Sequence, residues 1–181
     1  MPRLILLVGT ALLVFGVVLG GVQAVQRHQA SVEAQQVSQY TAGVLPQARQ
    51  AGQLVAQTIV PAIDGYGAGL VQPATLAQAA AVWQQFFVKT RAGFARVAHP
   101  DALAPVAAGF DRALMEYAKA VAYFEQVQTV QAAPAVRAGS LEAKRADADY
   151  AAAANRLACL RLSLGLPALP EFARSGACPS T

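Results

Sequence analysis

The feature that most constrains this chain is an uncharged apolar stretch at its N-terminus. Residues Leu4 to Val22 carry no charged side chain, and about 20 apolar residues are enough for a helix to span the hydrocarbon core of a bilayer. The stretch therefore predicts that the chain is sent to a membrane and that the rest of it is carried across. Residues 1–25 are accordingly predicted to be a transmembrane anchor or a signal peptide.

Two interpretations of this segment remain open. A cleaved signal peptide has a basic start, an apolar stretch of roughly 7–15 residues and a small-residue cleavage site; Arg3 and the small side chains up to Ala24 provide the first and last of these features. An uncleaved anchor is favoured, because the apolar run is longer and continues into a helix-compatible stretch from Gln23 to Ser38. We expect a single-pass protein of the cell membrane, in contact with lipid through this helix and with its C-terminal domain outside, or a secreted protein after cleavage.

The cysteines agree with export. The chain has two of them, Cys159 and Cys178, and a single pair is typical of one disulfide in an oxidising compartment. Closing a loop of this length stabilises a fold by about 3 kcal/mol in the chain-entropy treatment. The alternative is two free thiols, with Cys159 buried and Cys178 loose in the tail. We predict the disulfide, which would hold the tail 166–181 against the preceding helix.

Composition indicates an all-α fold and argues against nucleic-acid binding. The chain is rich in alanine and glutamine, only 13% of its residues are charged, and the alternating apolar pattern of a half-buried strand is absent. The net charge of +4 comes from basic residues spread along the sequence, whereas a nucleic-acid interface needs them concentrated on one face. Residues 26–165 have the length of one domain.

Two predicted helices carry apolar seams with heptad-like spacing, in which steps of four and three residues alternate. The helix predicted from about Ala74 to Ala98 has its seam at Leu76, Ala80, Trp83, Phe87, Thr90, Phe94 and Val97. The helix predicted from about Ala102 to Gln131 has its seam at Leu103, Ala107, Phe110, Leu114, Tyr117, Val121 and Phe124. Asp101 is the expected N-cap of the second of these helices.

The first predicted helix, from Gln23 to about Ile59, is interrupted by Gly43 and Pro46. Proline removes an amide donor and clashes with the preceding turn, so we expect a kink or a fresh helix start near Pro46. The segment 61–73 contains three glycines and two prolines. It is predicted to be the clearest linker in the chain, with the first helix ending near Val60.

The last predicted helix runs from about Leu141 to Leu164, with Ser140 as its cap and Gly165 just past its end. The preceding segment, 132–139, is interpreted as a connection. The early face of this helix has small side chains, where a neighbouring helix is expected to approach closely: Ala148, Ala151 and Ala152. Four amphipathic helices with short connections predict an N-terminal transmembrane helix followed by an antiparallel four-helix bundle.

Catalytic and metal-binding motifs are absent from the sequence. The two histidines, His28 and His99, have no neighbouring nucleophile or ligand motif. The Glu-x-x-His pairs of di-iron bundles and the C-x-x-C-H motif of haem attachment do not occur. We therefore expect no enzyme activity, no metal and no cofactor.

Three aromatic residues are candidates for contact with a partner: Tyr66, Trp83 and Phe86. Tyr66 lies between two glycines of the predicted linker, so it is either an exposed contact or a side chain that folds back to cap the bundle. Trp83 belongs to an apolar seam, so it is a core residue or lines an apolar ligand cavity. Phe86 lies beside that seam, so it widens the buried face or leaves an apolar patch for a partner.

These expectations favour a non-catalytic, membrane-anchored extracytoplasmic helical module for protein interaction or ligand binding. Its partner is expected to be another protein or a second copy of the chain, and no nucleic acid. The alternatives are a self-associating structural spacer of the envelope and a helical bundle that is secreted after signal cleavage. An isolated bundle that is monomeric and has an apolar cavity would favour binding, and concentration-dependent association would favour assembly.

Overall fold

All regular secondary structure in the described residues is helical, as the composition predicts. The computed structural model describes residues 2–128, 132–172 and 177–178, with side chains from residue 27 onward. The α-helices are α1 (Pro2–Leu54), α2 (Val60–Gly67), α3 (Pro73–Ala95), α4 (Ala104–Glu125) and α5 (Ala132–Ser163). A π-helical turn joins α1 to α2, and three short 3-10 turns complete the set: Val55–Ile59, Asp101–Leu103, Gln126–Gln128 and Pro170–Phe172.

The long helices α1, α3, α4 and α5 lie side by side, and neighbours run in opposite directions. Between α3 and α4, the rings of Phe94 and Phe110 lie 5.5 Å apart and Phe87 stacks on Tyr117 at 5.1 Å. Later positions on α3 thus meet earlier positions on α4, which is the register of an antiparallel pair. The same inverse register relates α4 to α5, because Gly109 approaches Ala153 while Phe124 approaches Gly139. It also relates α1 to α3, because Gln47 approaches Gly93 while Gly43 approaches Val97, just past the end of α3. The architecture is consistent with a helical bundle.

The two predicted seams form much of the core. Every seam residue of α3 is buried, and Val97, just past its end, is half-buried. On the α4 side, Leu103, Phe110, Leu114, Val121 and Phe124 are buried, whereas Ala107 and Tyr117 are half-buried. The alternating spacing of the sequence therefore identifies the faces that pack together.

Helix α1 passes through Pro46 without a break, so the predicted alternative of a fresh helix start there is wrong. Pro46 removes one amide donor, but Val44, Ala48 and Ala51 on either side of it are buried. Burial of this face stabilises the helix across the missing hydrogen bond. The π-helical turn begins at Val55, directly after Leu54. At its end, the amide of Val60 donates to the carbonyl of Val55.

The predicted linker 61–73 is wrong over most of its length, because helix α2 continues through residue 67. Pro61 lies in the first turn of α2, where a missing amide is tolerated, and Ile63 and Tyr66 pack against the core. The chain leaves the helix only at Gly69, whose φ is +74°. Its amide donates to the carbonyl of Tyr66, and the next amide donates to Gly65, which is the hydrogen-bond pattern of a glycine-terminated helix.

Asp101 does not cap α4, so that prediction is also wrong. It opens the 3-10 turn Asp101–Leu103, and neither this turn nor α4 has a side-chain cap hydrogen bond. The amide of Leu103 donates instead to the carbonyl of Pro100 at 2.9 Å. Pro105 lies in the first turn of α4, where proline leaves no hydrogen bond unmade.

Helix α5 begins at Ala132, which corrects two further predictions. Residues 132–139 are helical rather than a connection, and Ser140 lies inside the helix rather than at its cap. Gly139 stays helical because it is buried against α4: a Cβ there would lie 2.6 Å from Cε1 of Phe124 and 2.9 Å from the carbonyl oxygen of Ala120. Tertiary contact thus overrides the helix-breaking tendency of glycine.

The face of α5 that was expected to meet a neighbour is exposed, at Ala148, Ala151 and Ala152. The close approach uses the adjacent face, where Ala153 is buried and a Cβ on Gly109 would lie 2.9 Å from the Cβ of Ala153. One helical position separates the two faces, about 100° of rotation. Without bulky apolar residues nearby, alanine spacing alone does not identify the buried side.

The tail returns to the helices after α5 ends. Gly165 has a φ of +70°, and the amides of Gly165 and Leu166 donate to the carbonyls of Leu162 and Arg161, so the predicted stop at Gly165 is confirmed. Phe172 is fully buried, 5.7 Å from the ring of Phe110. The Sγ atoms of Cys159 and Cys178 lie 2.14 Å apart, at disulfide-bonding distance, and their Cα atoms are 5.5 Å apart.

The predicted anchor, Leu4 to Val22, lies outside the residues whose side chains the structure describes, although the backbone there is part of α1. Among residues 27–128, 132–172 and 177–178, no helix has the length and apolar character to cross a membrane.

Candidate functional site

The strongest candidate site is a groove on the outer side of the α3–α4 pair. It consists of two clefts in line, of about 340 and 370 Å³, which share Ala95 of α3 and Asp111 of α4. We name them the His99 cleft and the Met115 cleft, and together the α3–α4 groove. Cavities of a few hundred Å³ with apolar walls and a few polar groups are the usual form of a binding site.

The His99 cleft lies where α1 crosses the α3–α4 connection. Its walls come from three helices and the connection: Tyr40, Phe94, Ala95, His99, Ala104, Ala107, Ala108 and Asp111. The rings of Tyr40 and His99 meet edge to face at 6.0 Å, and Nδ1 of His99 lies 3.3 Å from the carbonyl oxygen of Pro100. Burial raises the pKa of Tyr40 to about 12, so its phenol stays neutral at physiological pH.

The Met115 cleft continues along α3 and α4 and has mostly apolar walls: Val88, Arg91, Ala92, Ala95, Asp111, Met115 and Ala118. Val88 is 56% exposed, although it is β-branched and apolar. Met115 is half-buried, and its flexible thioether adapts to differently shaped neighbours. The cleft therefore leaves apolar surface in contact with solvent.

An ion pair joins the two clefts. Nε of Arg91 donates to Oδ1 of Asp111 at 2.6 Å, and Nη2 donates to Oδ2 at 2.9 Å. The bond to Asp111 and the charge of that carboxylate raise the pKa of Arg91. Both side chains are nearly half exposed, so the pair contributes little to stability but offers donors and acceptors at the centre of the groove.

The sequence-predicted contact residues do not form this groove. Trp83 is only 5% exposed and belongs to the core. Phe86 is half-buried and lies edge to face with Phe87 at 5.6 Å. Tyr66 lies in α2 rather than in a loop, half-buried against the core. Tyr66 and Phe86 both pack against the core cluster that contains Trp83.

Sequence reasoning missed the groove and a buried cation. Alanines supply six of the thirteen residues that line the groove, and they have no distinctive signal in a chain this rich in alanine. Arg161, 5% exposed, donates through Nη1 to Oγ1 of Thr41 at 3.2 Å and through Nη2 to the carbonyl oxygen of Pro167 at 2.8 Å. Among the described residues no carboxylate pairs with it, and burial lowers its pKa. It joins α1, α5 and the tail.

The described residues do not assemble a metal site: no group of three or more His, Cys, Asp or Glu side chains lies close enough together to hold an ion. Comparisons with protein-family models, curated proteins and solved structures give no match to this chain. Function must therefore be argued from the geometry of the groove.

Proposed function

We propose that this chain is a non-catalytic, membrane-tethered helical module that binds an amphipathic helix of a partner protein in the α3–α4 groove, outside the membrane. The observation that carries the proposal is the groove itself, whose two connected clefts are open to solvent and of which the Met115 cleft has mostly apolar walls. Exposed apolar surface of this kind is typical of an interaction site.

The shape of the groove favours a helix over a compact ligand. On α4 its walls extend from Ala104 to Ala118, which corresponds to about 21 Å at 1.5 Å per residue. A drug-sized molecule would fill one cleft, whereas an extended amphipathic helix would lie along both. Six of the thirteen lining residues are alanines, so a partner helix can come close to the α3 and α4 backbones there, and Arg91 and Asp111 can bind a polar group on the partner.

The tether is proposed from the apolar stretch Leu4–Val22 and the continuity of α1. The first buried side chain of α1 among those described is Val37, and residues 27–36 are exposed or half-exposed. If the apolar stretch is an anchor, residues 23–36 form a helical stalk of about 21 Å between the bilayer and the folded part. A cysteine pair at disulfide distance supports an oxidising compartment.

The groove is tested by photo-crosslinking in the native membrane. A photoreactive residue replaces Val88, which is exposed in the Met115 cleft. We expect an adduct with one discrete protein, lost when Ala95→Trp fills the point shared by the two clefts. Ala152→Trp, on the exposed face of α5, is the matched control and should keep the adduct. An adduct of twice the chain's mass favours the self-associating spacer instead, and adducts that survive Ala95→Trp overturn the proposal.

The tether is tested separately by intact mass and N-terminal sequencing of the protein from cell fractions. A chain that begins at Met1 and fractionates with membranes supports the anchor. A chain that begins at Val25 in the soluble exported fraction overturns the tether and favours the secreted alternative. Neither result depends on whether the groove binds a helix.

A further inference from the structure

A second, smaller pocket lies where the end of α1 and the π-helical turn after it meet α4 and α5. Its volume is about 140 Å³, and it is lined by Ala51, Gly52, Val55, Tyr117 and Tyr150. None of these side chains is charged, and none lines the α3–α4 groove. The pocket therefore has its own walls and needs its own explanation.

Two features at the end of α1 and in the turn that follows it create the space. Gly52 has no side chain, and a Cβ placed there would meet no heavy atom within 4 Å. Val55 begins the π-helical turn Val55–Ile59, which is wider than an α-helical turn, and single π turns occur frequently at functional sites. Gly52 and the widened turn are close together in the same wall of the pocket, and together they leave the pocket open.

The two tyrosine rings are held in place by groups outside the pocket. Tyr117 stacks on Phe87, with centroids 5.1 Å apart, and its hydroxyl donates to Asp147. Tyr150 lies against Phe110, with centroids 5.2 Å apart. Burial, together with the bond to Asp147, raises the pKa of Tyr117, and burial raises that of Tyr150 to about 12. Both walls are thus fixed and uncharged at physiological pH.

We infer that this pocket is a binding site for a small neutral molecule of about the size of one six-membered ring. Apolar cavities of about 150 Å³ accept benzene, and the 140 Å³ here matches a single ring. The uncharged lining disfavours an ion, because a charge would lose its hydration without a partner. A planar ring extends the aromatic contacts that already link Phe87 to Tyr117. The site is independent of the proposed helix-binding function.

The test uses the full chain in detergent micelles, with fluorobenzene as the probe and the methyl signals of Ala51 and Val55 as the readout by NMR. We expect these signals to shift saturably with the free probe concentration. Gly52→Leu places a side chain in the pocket and should weaken binding at least tenfold. Gly67→Leu is the matched control, because a Cβ there also meets no heavy atom within 4 Å and the residue does not line the pocket; its binding should equal that of the native chain.

A second variant keeps the inference open to refutation if Gly52→Leu perturbs the helix. Val55→Ala enlarges the pocket, so we expect it to bind naphthalene saturably and more tightly than the native chain does. Shifts that rise linearly without saturating, or that appear equally at exposed methyl groups, indicate partition of the probe into the micelle and overturn the site. Equal binding to the native chain and to Gly52→Leu overturns it as well.

Discussion

Gly139→Ala tests how closely α5 packs on α4. In an open helix interior this change stabilises by roughly 0.5–1 kcal/mol, because alanine loses less backbone entropy on folding. At Gly139 the added Cβ would lie 2.6 Å from Cε1 of Phe124 and 2.9 Å from the carbonyl oxygen of Ala120. Phe124 is buried and the carbonyl belongs to the backbone, so neither can move aside freely.

Overpacking of a core by one methyl group costs about 1–3 kcal/mol, which exceeds the gain in helix propensity. We therefore expect Gly139→Ala to lower the free energy of unfolding by about 0.5–2 kcal/mol and the Tm by about 1–8 °C. Gly52→Ala is the control, because its Cβ meets no heavy atom within 4 Å and should raise the stability by up to about 1 kcal/mol. Both are measured by far-ultraviolet circular dichroism during urea and thermal unfolding.

Gly139→Ala and Gly52→Ala are expected to change the free energy of unfolding in opposite directions, and this difference tests the packing of α5 on α4. If Gly139→Ala stabilises the protein as Gly52→Ala does, then α4 and α5 do not approach each other at this point, and the explanation for a glycine inside α5 fails. A lower stability with an unchanged denaturant slope indicates that the native packing, rather than the unfolded chain, is affected.

Three further predictions follow from the core, the tyrosines and the tail. Phe110→Ala should destabilise by about 3–5 kcal/mol in urea unfolding, because the ring is fully buried; a change below about 1 kcal/mol contradicts this packing. The pKa values of Tyr40 and Tyr150, raised from 10.0 to about 12, mean that the folded chain keeps protons that the unfolded chain releases. Their contribution to stability is complete below about pH 10 and is lost between about pH 10 and 12. Phenolate absorbance should show three tyrosines titrating late, because the pKa of Tyr117 is raised as well. Non-reducing mass mapping should recover a peptide that joins Cys159 to Cys178, and free thiols on both would contradict the bond.

The seams of α3 and α4 could be read from the sequence because bulky apolar side chains recur there with a helical period. Trp83, Phe87 and Phe94 identify one buried face, and Phe110 and Phe124 identify the face that meets it. A periodic pattern of large side chains constrains the orientation of a helix strongly, since rotating it would expose several of them at once. The stop at Gly165 was equally local, because only glycine readily adopts its backbone conformation.

Helix boundaries were misplaced where glycine and proline are signals that tertiary contacts override. Residues 61–67 and 132–139 look like connections in the sequence, yet both are helical. In the first, Ile63 and Tyr66 pack on the core. In the second, Gly139 allows α5 to contact Phe124. Local propensity favours a break by about 1 kcal/mol for each glycine, which burial of neighbouring apolar side chains offsets.

The features of this protein also differ in whether the sequence alone could predict them. The helical class and the α3 and α4 seams depend on side-chain order alone, and the sequence was sufficient to predict them; the anchor at Leu4–Val22 stays a prediction. The α3–α4 groove, the pocket beside Gly52 and the burial of Arg161 depend on which surfaces of different helices meet. Alanine, glycine and a single arginine carry no periodic signal that separates inside from outside, so their roles appear only once neighbouring helices have enclosed them or left them open.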